Sequence, residues 1–100
     1  MIAFLKPQFS LGRVVATPGA LEALAKAGQT AEELLNRHHR GDWGDLDDTD
    51  LSLNDEALQD GSRLLSAYHL KTGVKIWVIT EASDDEGKRS ATTLLLPDEY

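Results

Sequence analysis

Apolar and polar residues alternate from Arg63 to Leu70, so Leu64, Ser66, Tyr68 and Leu70 share one face of an extended chain. Lys71-Thr72-Gly73 then reads as a turn, with glycine where a positive φ is needed. Val74–Glu81 follows, with Val74, Ile76 and Val78 opposite Lys75, Trp77 and Ile79. Both faces carry apolar groups, which predicts a central strand with Trp77 and Ile79 largely buried. A polar loop spans 82–88, Ser90–Leu96 forms a third strand, and Pro97 ends it.

The first half of the chain has helical spacing. Gly12–Ala16 is a short β-branched run and a candidate first strand. Thr17 can cap a helix that begins at Pro18 and stops at Gly28, with Leu21, Leu24 and Ala25 on its inner face. Thr30-Ala31-Glu32-Glu33 is a capping box, opening a second helix that turns Leu34, Leu35 and His38 inward. Arg37, His39 and Arg40 crowd its last turn, where cations meet the negative helix end, and Gly41 stops it. Residues 54–59 allow a short third helix, and Trp43 is expected to fold back over the core. Residues 1–11 read as an N-terminal arm or short strand. Together these elements predict one α+β domain over residues 1–100, an antiparallel β-meander with two or three helices packed on one face.

Composition narrows the function classes. Cysteine is absent from the 100 residues, which excludes disulfides, thiol nucleophiles and thiolate metal sites. The apolar run at Ile2–Leu5 is too short for a signal-peptide core, and no run approaches a membrane span of about 18 residues, so a cytoplasmic protein off the membrane is expected. The net charge of −7 repels phosphate backbones and argues against direct nucleic-acid binding. Between Gly41 and Ser62 there is no Lys or Arg, but eight residues are Asp or Glu.

Three chemistries suit the polar residues. Asp45, Asp47, Thr49 and Glu56 fall at calcium-loop spacing, but Asp50 stands where that loop requires glycine, so neither a metal nor a cofactor is expected. His38 and His39 point about 100° apart on a helix and chelate one ion poorly. His38 or His39 with Arg63, Ser66, Tyr68, Thr92 and Thr93 could supply base, acid and cation to a metal-independent ribonuclease. A helix ending in Arg-His before an antiparallel meander loosely resembles the barnase-EndoU-colicin-RelE nuclease class.

Four stretches, VVATPGALEAL (14–24), LLNRHHRGDWGDL (34–46), GSRLLSAYHLKTGVKIWVITEA (61–82) and TTLLLPDEY (92–100), resemble a family of small proteins carried by bacterial plasmids, prophages and integrated elements. Members have been labelled plasmid-related or as a type I restriction subunit. The loop at 82–88 reads as an insertion relative to that pattern. The resemblance implies a mobile-element setting and no catalytic residue. The reading that follows is a small acidic, non-catalytic interaction protein of a mobile element that binds a basic nucleic-acid-handling host protein, with anti-restriction or anti-CRISPR action among its roles. Asp42, Trp43, Asp45, Asp47, Asp48, Asp50, Asp55 and Glu56 form the expected contact, with Trp43 as aromatic anchor. The ribonuclease is the alternative.

Overall fold

The computed structural model describes residues 8–100. Strand β1 (Arg13–Ala16) runs into Thr17, whose hydroxyl accepts from the Ala20 amide at 3.1 Å and so caps α1 (Pro18–Ala27). Thr30 caps α2 (Ala31–His39) in the same way, accepting from the Glu33 amide at 3.3 Å. Glu33 turns to Gln29 rather than back to the Thr30 amide. The third helix, α3 (Asp48–Asp60), is longer than the expected 54–59. Asp47 caps it, accepting from the Asp50 amide at 2.8 Å, and Asp48 and Asp50 sit in the first turn, where the helix end is positive.

The expected meander is present as β2 (Leu64–His69), β3 (Lys75–Thr80) and β4 (Ala91–Leu95), each antiparallel to the next. The strand order β1-β4-β3-β2 places β3 inside the sheet, as its two apolar faces require. The expectation of a purely antiparallel sheet is corrected by β1, which lies parallel to β4 with Val14 opposite Thr92. The fold is α+β, with a mixed sheet. Local alternation marks where strands occur. The direction in which β1 meets β4 depends on the route the three intervening helices give the chain.

Side chains of alternate residues define the sheet's two faces. On one, Tyr68, Leu70, Ile76, Val78 and Leu94 bury themselves under Ala20 and Leu24 of α1 and Leu34 of α2. The inner face of α1 differs from the expected one. Ala20, Ala23, Leu24 and Ala27 turn inward, while Leu21 is 52 % exposed and Ala25 is also exposed. Small residues let the helix lie close to the sheet, a choice that a search for large apolar groups overlooks. On the other sheet face Ile79 is buried as expected, but Trp77 is only half-buried, with the Tyr100 ring edge-on at 5.8 Å.

α3 lies beside the outer edge of β2 and not on a sheet face. Its buried Asn54 acts as a one-residue strand: the side-chain amide donates to the Leu65 carbonyl at 2.6 Å and accepts from the Leu65 amide at 3.1 Å. One step along, the Ala67 amide donates to the Trp43 carbonyl at 3.0 Å and the Ala67 carbonyl accepts from the Asp45 amide at 2.7 Å. The edge of β2 is thereby closed to a further strand. Of the expected arm, residues 1–7 lie outside the described residues. Gln8 is tied to α2 by its amide, which donates to the His39 carbonyl at 2.9 Å.

Replacing Asn54 by Leu should leave the Leu65 amide and carbonyl buried and unsatisfied, costing roughly 2–4 kcal/mol. Urea melts check the loss, and hydrogen exchange should show the Leu65 amide losing its protection. Unchanged protection would mean that Asn54 does not close the edge.

Candidate functional site

The GDWG segment, 41–44, is set by a guanidinium and two glycines. Arg37, in the last turn of α2, donates from Nε to Asp42 Oδ2 at 2.7 Å and from Nη2 to Oδ1 at 3.2 Å. This fork holds the Asp42 carboxyl below the usual carboxylate range and raises the Arg37 guanidinium. The same guanidinium lies over the Tyr68 ring at 4.5 Å, and the Tyr68 hydroxyl donates to the Asp42 carbonyl at 2.5 Å. Burial pushes the Tyr68 phenol upward. Gly44 has φ 74°, and a Cβ there would collide with the Ala67 carbonyl and the Tyr68 ring.

Trp43 is 5 % exposed, stacked on Phe9 with ring centroids 6.0 Å apart and edge-on to His38 at 5.5 Å. It covers the core, as its position between two glycines implied. The same burial corrects its role as contact anchor, because the indole is not at the surface.

The acids expected to form the contact divide into two groups. Asp42 is held by Arg37, Asp45 pairs with His69 at 2.6 Å, and Asp47 caps α3. Asp48, Asp55 and Glu56 stand exposed on the outward side of α3 with no side-chain partner among the described residues. Asp50, half-buried, also lacks a side-chain partner among the described residues and lines a cleft of about 360 Å³. The calcium spacing dissolves in the fold, since Thr49 and Glu56 lie on one continuous helix that Asp47 caps. Among the described residues no group of three or more His, Asp or Glu is placed to hold a metal ion.

The residues of the ribonuclease reading are partly brought together, but inside the protein. His38, Ser66, Thr80 and Thr92 have no exposed surface. Thr92 Oγ1 donates to the Leu11 carbonyl at 2.7 Å, an acceptor that fixes the direction of the whole chain. Thr80 Oγ1 must then donate to Thr92 Oγ1 at 2.6 Å, and His38 Nε2 to Thr80 Oγ1 at 2.8 Å. Ser66 Oγ therefore donates to His38 Nδ1 at 2.5 Å, and the imidazole is neutral with its proton on Nε2. Burial, with smaller effects from His39 and Arg89, lowers the His38 pKa to about 3. Arg63 lies elsewhere, donating to the Tyr100 hydroxyl, and Thr93 points to the opposite sheet face from Thr92.

Two features escaped the sequence reading. Arg89, 7 % exposed, donates to the carbonyls of Ser62 at 2.7 Å, Glu81 at 3.0 Å and Ala57 at 3.2 Å. It supplies the cation that the last turn of α3 lacks. The second is the cleft, whose wall includes Trp77, Arg63 and Tyr100. Nothing local in the sequence joins positions 50, 63, 77 and 100.

A histidine held neutral makes folding sensitive to acid. The folded pKa lies below the ordinary value of about 6.5, so the unfolded chain binds the extra proton. Stability from this group is complete above that value and is lost as pH falls toward about 3. Between pH 7 and 5 the loss should be about 2 kcal/mol, before the carboxylates titrate. Urea melts of wild type and His38→Gln at both pH values check this. The variant should be less stable at pH 7 and should lack that share of the slope, and an unaltered slope would sink the assignment.

No family model, curated protein or solved structure matches this chain, so its own side chains carry the functional reading.

Proposed function

We propose that this chain is a non-catalytic binding protein whose acidic α3 face docks on a basic protein surface. The observation that carries this reading is the group of three exposed carboxylates, Asp48, Asp55 and Glu56, that no cation among the described residues pairs with. Other acids of the same stretch are used inside the fold, so their presence needs no partner. Asp55 and Glu56 lie past the first turn, where an acid gains nothing from the helix end, and only Asp48 has that structural use.

A net charge of −7 acts over a screening distance of about 8–10 Å at physiological salt. It steers a positive partner and repels a negative one. Carboxylates spaced along a helix compete for guanidinium and ammonium groups that otherwise grip phosphates, which is why a nucleic-acid-handling protein is the partner class. The mobile-element setting, with anti-restriction or anti-CRISPR action, rests on the family resemblance and belongs to this proposal. A ribonuclease would need its imidazole within reach of substrate, and His38 is sealed under Phe9 and Trp43. No observation favours that second reading.

The triple replacement Asp48→Asn, Asp55→Asn and Glu56→Gln should leave the melting temperature within a few degrees of wild type. Two of the three lie in the half of α3 that ends negative, where removing an acid is neutral or helpful. Association with a basic partner captured from a host lysate should slow roughly tenfold at low salt, and its salt dependence should flatten. Stopped-flow or surface-plasmon kinetics would measure both. Unaltered association by the triple variant would overturn the proposal.

A further inference from the structure

Docking through α3 requires an anchor, and Trp43 is not available for it. The cleft of about 360 Å³ beside α3 is the alternative. Its wall joins Leu53 of α3, Leu65 of β2, Trp77 and Ile79 of β3, and Tyr100. Leu53 is 54 % and Tyr100 66 % exposed, so apolar surface is open to solvent on two sides of the cleft. The volume falls in the range of about 300–1,000 Å³ usual for small-ligand pockets, and suffices for a partner's large side chain.

We propose that this cleft seats an apolar side chain of the basic partner, an inference that rests on the reading of α3 as the docking face. The charges in the wall select the occupant. Arg63, whose guanidinium lies 5.3 Å from the Tyr100 ring centroid and donates to its hydroxyl, repels a partner lysine or arginine from the interior. Asp50, with no side-chain partner among the described residues, repels a carboxylate or phosphate. Between these two charges the wall of Leu53, Leu65, Trp77 and Ile79 is apolar and suits a neutral, apolar group. Partner cations meet acids on the α3 side, where Asp50 stands at the cleft and Asp48, Asp55 and Glu56 face outward. The arrangement is an apolar anchor with a charged rim on one flank, the usual division between affinity and steering. The partner motif is therefore a leucine, methionine or phenylalanine flanked by lysines and arginines.

The test uses two synthetic peptides, one with a central leucine flanked on each side by lysines and arginines, the other with alanine at that centre. The leucine peptide should bind roughly tenfold tighter, and should shift the Trp77 indole N–H and Leu53 methyl resonances. Leu53→Ser, at an exposed position, should abolish the leucine preference and leave the salt-sensitive binding of the alanine peptide intact. Leu53→Met should restore the preference. Equal affinity for both peptides, with shifts confined to the outer side of α3, would overturn the cleft and leave the acidic face standing. No binding of either peptide at low salt would overturn both. Shifts at Trp77 caused by an oligothymidylate and not by the peptides would assign the cleft to nucleic acid. Self-association that buries Trp77 would assign it to a second copy of the chain, and either result refutes the proposal.

Discussion

An imidazole with no exposed surface has to find partners for both ring nitrogens, because an unpaired polar atom in the interior costs as much as the fold can usually spare. His38 finds them on two strands, Ser66 on β2 and Thr80 on β3. Thr80 passes the requirement to Thr92 on β4, and Thr92 passes it to the carbonyl of Leu11. A helix, three strands and the segment ahead of β1 are thus fixed by one chain of hydrogen bonds, all pointing one way. The angle at which α2 crosses the sheet follows, since a small rotation would break both ring contacts. So does the seating of Phe9 and Trp43, whose rings enclose the imidazole from the remaining sides. Geometry that resembles a Ser-His dyad serves here to hold a sheet and a helix together.

The second constraint is the outer edge of β2. Gly41 and Gly44 bend the chain so that the carbonyl of Trp43 and the amide of Asp45 reach Ala67. The Arg37–Asp42 fork holds that bend at its start, and Tyr68 holds it from below. α3 then follows at a distance that lets Asn54 satisfy Leu65. GDWG therefore reads as a device for edge closure. Its Asp and Trp are structural, while acids further along the same stretch point outward.

Elements whose cause is local were legible in the sequence. Thr17, Thr30, Gly28 and Gly61 mark helix ends by cap chemistry that acts within a few residues. Alternation located β2, β3 and β4, and the two-faced apolar pattern of Val74–Glu81 placed β3 inside the sheet. The early start of α3 was hidden because Asp47, Asp48 and Asp50 are all capable caps, and only the fold chooses Asp47. The parallel pairing of β1, the carbonyls that hold Arg89 and the cleft beside Trp77 unite positions far apart in the chain. Asp45 was legible as an acid but not as the partner of His69, for the same reason. A pattern within a window cannot contain such pairings.

The two sheet edges are handled differently, and the difference bears on where function resides. β1 has only four residues, opens with Arg13 and ends at Thr17-Pro18, so it offers an incoming strand little to extend. Gly12 enters it at φ 64° against the backbone of Arg89 and Ser90, too close for any other residue. Brevity, a charge and proline protect that edge, which no described strand covers, and Val14 and Val15 are exposed among the described residues. β2 is longer and apolar, and it needs a cover. α3 is that cover, so one side of the helix is fixed by the sheet and carries Asn54 and Ala57. Its other side faces solvent beyond the first turn. There a helix needs only to be soluble, and neutral or mixed polar residues would serve. That side carries Asp48, Asp55 and Glu56 beside the neutral Thr49, Ser52 and Gln59, so covering the sheet edge dictates one side of α3 and leaves the other available to a different role.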